Sequence, residues 1–296
     1  MNRSLKGSLL IMFSGTLWGI QGLFMQLLNG IGASSGHISF CRMCFSFILL
    51  LTFGLLTRGT KVFHVSRKGL LCSFLMGLFC QCLYNLSYTS SVKYNGMAVS
   101  AVMLYIAPVF VALISKVLFK EKFTGFKIFA LAVNVIGCAL AATGGQFGNA
   151  SLSAIGLFMG LAAALMYSLS SVIGRFASEG HDPVTVNVYM FLFASLFVGI
   201  ISRPWTGIES FMSAKLIIYS VLLALISTVI PYVVYLKGIS MIDETSKVPV
   251  FASIEMIVAA LLGVFVLSEK FNLLNVVGII LVILSIWIMN KRKKNA

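Results

Sequence analysis

Three charged side chains in the long apolar runs of the chain are the candidates for chemistry: Arg42, Lys247 and Glu255. Charge held away from water is costly, so each is a functional candidate by default. Glu255 is the one acid within any such run, twelve residues from the far end of its run, or about 18 Å of helix. A carboxylate at that depth with no cation beside it would hold a proton and could exchange it for the cationic group of a solute. Its alternative is structural, an acid bonded to a Ser or Asn across helices. Arg42, five residues into the run 37–57, is either a substrate ligand or an anchor for its helix against polar groups and carbonyls nearby. Lys247 opens the run 247–267 and either meets substrate or snorkels and pairs with Glu244 one turn away. Lys247 and Glu255 are about 12 Å apart along a helix and about 80° around it, too far for a direct pair.

Aromatic rings in the same runs can hold a cationic or planar ligand, or else form an interfacial belt. Trp18 and Tyr167 lie deepest and at matching positions in the two halves of the chain, so they are expected to wall one cavity together. Tyr84, Tyr105 and Tyr232 are further candidates for substrate contact, and Gln21, Asn85, Ser100, Asn134, Asn187 and Thr228 are polar groups that could face a cavity. Pro108, Pro231 and Pro249 each remove a backbone donor and free a carbonyl one turn earlier, as hinges or as plain kinks.

Enzymatic chemistry has little to run on. His37, His64 and His181 all fall outside the interiors of the apolar runs, and there is no Gly-rich phosphate loop or acid–His cluster. All six cysteines sit in apolar runs; Cys41-x-x-Cys44 has no second pair and no His or acid at ligand spacing, so buried thiols are expected, with no metal and no cofactor.

The elements that position these groups follow from composition. The 296 residues are 59% hydrophobic and 10% charged, with a mean hydropathy of +1.01, too few charges to cover a water-soluble surface. A span needs about 20 apolar residues, and ten such runs occur: 7–28, 37–57, 69–90, 96–118, 125–143, 152–174, 184–202, 216–236, 247–267 and 271–290. The first is too long for a signal-peptide core and lacks a small-x-small cleavage site, so it reads as a retained helix. Sixteen Lys and Arg fall on the side that carries both ends of the chain, against four (Lys93, Arg203, Lys215, Lys270) on the other. Positive charge stays in the cytoplasm, so both termini are expected there. Topology thus accounts for the formal charge of +14; no nucleic acid is implied, and no anionic partner beyond lipid headgroups.

The halves resemble each other at an offset of 148 residues: Glu121-Lys122-Phe123 recurs as Glu269-Lys270-Phe271, Ile106, Ala112 and Leu113 match Ile254, Ala260 and Leu261, and Tyr84 matches Tyr232. Five spans per half is an odd number, so the second half, residues 149–296, must enter the membrane inverted relative to residues 1–148. That arrangement belongs to secondary transporters and argues against a channel, for which no ring of acids appears. Leu17-Trp18-Gly19, the run Tyr105-Ile-Ala-Pro108 whose helix ends in Phe-Lys-Glu121, and Ala252-Ser-Ile-Glu-Met256 ending in Leu-Ser-Glu269 resemble the EamA branch of the drug/metabolite transporter superfamily. The resemblance implies spans 1–4 and 6–9 around a central cavity, with 5 and 10 peripheral. The family usually has Pro where this chain has Met256, and span 1 lacks the acid familiar from the small multidrug resistance relatives. The fold points to transport, and the resemblance alone implies the substrate: export of a small organic metabolite, an amino acid, across a bacterial cytoplasmic membrane. Alternatives are a quaternary ammonium or cationic-drug transporter and a non-transporting scaffold or sensor. Lipid and a small solute are the expected partners, protons a candidate coupling ion. The sequence sets no oligomeric state and is compatible with a monomer.

Overall fold

The computed structural model describes residues 3–146, 152–206, 213–266 and 272–290, and no strand occurs among them. The first span is α1 (Arg3–Gly19) plus α2 (Gln21–Gly30), and the second is α3 (Ser35–Arg58). The third runs through α4 (Arg67–Leu75), a π segment (Met76–Leu83) and the first part of α5 (Tyr84–Leu104). The rest of α5 and α6 (Ala107–Leu118) make the fourth, α7 (Gly125–Thr143) the fifth, α8 (Ala154–Ser178) the sixth and α9 (Pro183–Ser202) the seventh. The eighth is α10 (Ala214–Ala224), a second π segment (Leu225–Val229) and α11 (Ile230–Ile239). A 3-10 turn (Thr245–Lys247), α12 (Val248–Ala252) and α13 (Ile254–Phe265) make the ninth, and α14 (Leu273–Asn290) the tenth. Ser34, Ser66, Thr124, Asp182 and Ser213 start their helices by accepting the N–H three residues on, as N-caps do.

Among the described residues nine stretches are long and apolar enough to cross a bilayer. The fourth expected span, 96–118, is the exception because it is not one helix. The third span continues past residue 90 to Asn95, and the chain turns at Gly96, whose φ of 77° favours glycine. The helix stops again at Leu104, and α6 begins at Ala107. Pro108 explains the stop, since its ring would collide with the carbonyl of Leu104 one turn back. Pro231 and Pro249 obey the same rule. All three stand in the first turn of a new segment, where the missing N–H costs no helical bond.

The interruptions recur at the offset found in the sequence. The break after Leu104 corresponds to the break at Ser253, α6 to α13, and the π segment of span 3 to that of span 8. Span 1 breaks at Ile20 whereas α8 runs unbroken, so the halves are not copies in every detail.

Eight spans form a ring. α1 packs on α11, α12 and α13; α3 on α9 and α10; the span 3 π segment on α9; α5 and α6 on α8; and α6 closes the ring against the 3-10 turn and α12. Close approach of span 1 to span 9 needs Gly15 and Gly19: a Cβ on Gly15 would fall 2.5 Å from the Ala252 carbonyl oxygen, and one on Gly19 2.7 Å from that of Glu255. Spans 5 and 10 stand outside the ring as the pair α7 and α14, locked at Gly137 and Gly278. Phe129, Ile136, Ile280 and Trp287 of that pair are all more than half exposed, a surface suited to acyl chains.

Candidate functional site

Inside the ring a cavity is lined by Tyr105, Pro108, Asn134, Tyr167, Pro249 and Glu255, among others. It leaves about 30 Å³ to the centre of a water-sized sphere, enough for water but not for a metabolite. Two helix breaks meet here, the one before α6 and the one at Ser253. The break at Ser253 is held from outside the ring: Asn134 Nδ2 donates to Ser253 Oγ at 2.8 Å and to Ser285 Oγ at 2.9 Å. Ser253 Oγ in turn donates to the Val250 carbonyl at 2.7 Å. Glu255 follows two residues later in the first turn of α13, where a helix N-terminus favours negative charge. Among the described residues no cation lies within ion-pair distance of its carboxylate and no hydrogen bond reaches it. The groups within its electrostatic reach are the phenols of Tyr84, Tyr88, Tyr105, Tyr167 and Tyr232 and the thiol of Cys138.

Ring contacts tie four of these phenols into two groups. Tyr84 stacks on Tyr88 at 6.0 Å and leans on Tyr167 at 5.7 Å. Trp18 lies edge-on to Tyr232 and Tyr235, at 5.2 and 5.0 Å. Gln81 Nε2 donates to the Tyr232 hydroxyl at 2.6 Å, and the Tyr235 and Ser171 hydroxyls share a bond of 2.8 Å. Trp18 and Tyr167 therefore do not share one cavity wall in this conformation: Tyr167 lines the Glu255 cavity, while Trp18 is covered by the tyrosines of span 8. The break at Ile20, two residues after Trp18, has no counterpart beside Tyr167 in α8.

Arg42 is buried, with 6% of its surface exposed. Its Nη2 donates to Asn85 Oδ1 at 3.5 Å, and its Nε is buried with no partner. Asn85 also lines a second cavity, between the ends of α3 and α9 remote from the chain termini, together with Ser35, Ser39, Thr89 and Ser202.

The end that carries the termini is closed by ions. Glu121, its side chain 6% exposed, sits within 3.3 Å of Lys127 Nζ and 3.5 Å of Arg175 Nη1. Its carboxylate also caps span 9, accepting the N–H groups of Thr245 and Ser246 at 2.5 and 3.3 Å and the Ser246 hydroxyl. Arg175 donates to Thr245 Oγ1 and to the Asp243 carbonyl, over the ring of Phe119. Glu244 joins Lys127 at 3.1 Å and Lys247 at 3.4 Å. Burial pushes the Glu244 carboxyl up, but Lys247 and Lys127 outweigh it and hold the group below its ordinary 4.5. The structure thus places Lys247 on Glu244 at the end of the bundle, away from Glu255.

Of the residues singled out in the sequence, Glu255, Tyr105, Tyr167, Pro108 and Pro249 come together at one cavity, and Tyr84 and Tyr232 stand in the phenol wall behind it. Pro231 restarts span 8 beside Tyr232. Three participants were not singled out: Gln81, Ser253 and Glu121. Glu121 had a signal, the Glu-Lys-Phe triplet kept at the repeat offset; its counterpart Glu269 lies outside the described residues.

Comparison with known proteins bears on this arrangement directly. The sequence pattern of the EamA-like transporter family matches residues 5–143 and again residues 154–291. The chain belongs to that family. Two copies of one domain pattern account for the interruptions that recur in both halves, and the chain is a multi-pass membrane transporter of the EamA type. It is 24% identical over 294 residues to the uncharacterized inner membrane transporter YicL of Salmonella typhimurium, covering 97% of this chain and 95% of that one. It is 25% identical over 276 residues to an uncharacterized transporter of Archaeoglobus fulgidus, covering 92% of each. A solved crystal structure superposes with a TM-score of 0.80 over 98% of both chains at 16% identity, a likeness of fold.

Proposed function

We propose that the chain exports an amino acid across the bacterial cytoplasmic membrane by alternating access, with residues 1–148 and 149–296 acting as inverted halves that rock around the ring's centre. The observation that carries the reading is Glu255: a carboxylate with no cation partner, at a helix break, on a cavity walled by phenols. Such a group is a ligand for the ammonium of a solute, or for a proton that the solute displaces. The excess of Lys and Arg at the end that carries the termini supports placing that end in the cytoplasm. In this conformation the same end is closed by the Glu121 cluster, and access from it requires the cluster to part.

A second reading is favoured by the phenols themselves. Five tyrosines around one carboxylate also suit a quaternary ammonium or other organic cation.

The test is efflux from proteoliposomes loaded with the twenty standard amino acids, for wild type and Glu255→Gln, each at several pH values. Wild type is expected to release at least one amino acid in a pH-dependent way. Glu255→Gln should release it on the order of tenfold more slowly, with the pH dependence flattened. Release at unchanged rate, affinity and pH dependence would make Glu255 structural. No release of any solute by folded wild-type protein would favour a scaffold or sensor.

A further inference from the structure

We propose that Arg42 is the anion-recognising half of the transport site, so that the solute carries a carboxylate as well as a cationic group. The inference rests on Glu255 being the ligand of the cationic group. A guanidinium has five N–H donors in a planar fork and cannot shed its charge in a protein. Here the group is nine-tenths buried, yet among the described residues it makes one long hydrogen bond, to Asn85, and leaves Nε with nothing. Among the described residues no acid lies within ion-pair distance of it. Taking an ion out of water without a partner costs several kcal/mol, and an anchoring role would show the bonds that repay it. Asn85 meets the guanidinium with its Oδ1 alone, since its amide nitrogen is itself a donor, given to the Gln81 carbonyl.

The surroundings connect the two charges. Asn85, the partner of Arg42, directly follows Tyr84, whose ring leans at 5.7 Å on Tyr167 of the Glu255 cavity, so adjoining residues lead from the guanidinium to the cavity of the carboxylate. Asn85, which takes the Arg42 bond, is also on the wall of the second cavity, and that cavity lies at the end opposite the ion cluster. A solute with one charge would satisfy one of these groups and leave the other unpaired. A solute with an ammonium at one end and a carboxylate at the other satisfies both, and a carboxylate accepts two parallel bonds from the guanidinium fork. Simple amines and quaternary ammonium ions lack that group and are repelled by Arg42.

The test compares proteoliposome uptake of the twenty-amino-acid mixture with uptake of choline, agmatine and tetramethylammonium, for wild type and Arg42→Met, alongside the melting temperature of each protein in detergent. Wild type should prefer the amino acids. Arg42→Met should transport them on the order of 30-fold more slowly, the loss expected for a charge-assisted pair. Its uptake of the organic cations should rise several-fold, and its melting temperature should be no lower than wild type, because Met removes an uncompensated buried charge. An Arg42→Met protein that melts lower and loses both activities in proportion would make Arg42 an anchor and overturn the inference. So would a wild type that prefers the organic cations, although Glu255 would keep its role. A wild type that moves neither class would overturn the Glu255 reading itself.

Discussion

Replacing Glu121 by Ala removes the group on which the closed end of the bundle converges. The carboxylate serves two cations and the first turn of span 9 at once. Without it, Lys127, whose side chain is 6% exposed, keeps one ion partner, Glu244, which is 41% exposed, and a 3.4 Å bond to the Lys122 carbonyl. Removing one partner of a buried ionic group typically costs about 3–5 kcal/mol, because the remaining charge stays buried. The lost cap on Thr245 and Ser246 is part of the same figure, since it uses the same two oxygens. If the cluster exists only in this conformation, the cost falls on this state alone and shifts the balance toward the state open at that end by a factor on the order of 100 or more. The readout is a single cysteine, Ala252→Cys, in a background with the six native cysteines replaced. Ala252 lines the Glu255 cavity and is 3% exposed. A membrane-impermeant thiol reagent applied from the end bearing the termini should label it on the order of 100-fold faster in Glu121→Ala. The melting temperature should fall by roughly 10 °C. Labelling that does not accelerate, with the expected loss of thermal stability, would show that the cluster is an ordinary structural brace and that the bundle opens elsewhere.

Two further outcomes follow from where the side chains lie. Tyr167→Ala should slow transport on the order of tenfold or more with little change in folded yield, whereas Trp18→Ala, which strips the edge contacts of Tyr232 and Tyr235, should lower both; equal effects on transport at equal yield would return Trp18 to the cavity wall. Because Glu244 titrates lower in the folded protein than its ordinary value, its ion pairs contribute stability above that value, and the contribution is lost as pH falls through the folded one. The melting-temperature gap between wild type and Glu244→Gln should therefore be widest near pH 7 and close as the pH falls below the ordinary carboxylate range; a gap independent of pH would refute this.

Much of the scaffold was legible because lipid permits so few backbone solutions. Runs of about 20 apolar residues located the spans, and the tyrosines and Glu255 stood out by depth. The turn at Gly96 was hidden. The chain stays helical to Asn95 because Asn95 exchanges bonds with the Ser153 backbone, and Ser91 reaches Ser100 and the Gly156 carbonyl, partners that no local pattern names. Asn134 was visible as a polar residue, but its work on the span 9 break depends on Ser253 and Ser285, 119 and 151 residues away. Glu121 reads as one more interfacial charge among lysines; only the folding of span 9 onto it takes it out of water. Trp18 and Tyr167 match in sequence, yet a break in one span and not the other sends their rings to different neighbours.

The two π segments constrain what the chain can tolerate. A π turn holds one residue more than the α turn it replaces, and each residue turns a helix by about 100°. Both segments lie directly upstream of the phenols, Met76–Leu83 ahead of Tyr84 and Tyr88, and Leu225–Val229 ahead of Tyr232 and Tyr235. Deleting a single residue from either segment would remove the extra residue and turn the two rings that follow by about 100° relative to the helix before them, although Pro231 would still keep span 8 from running as a regular α-helix. Spans 3 and 8 are thus the places where a more regular helix makes a worse protein, and where an alignment gap of one residue means more than a substitution of several.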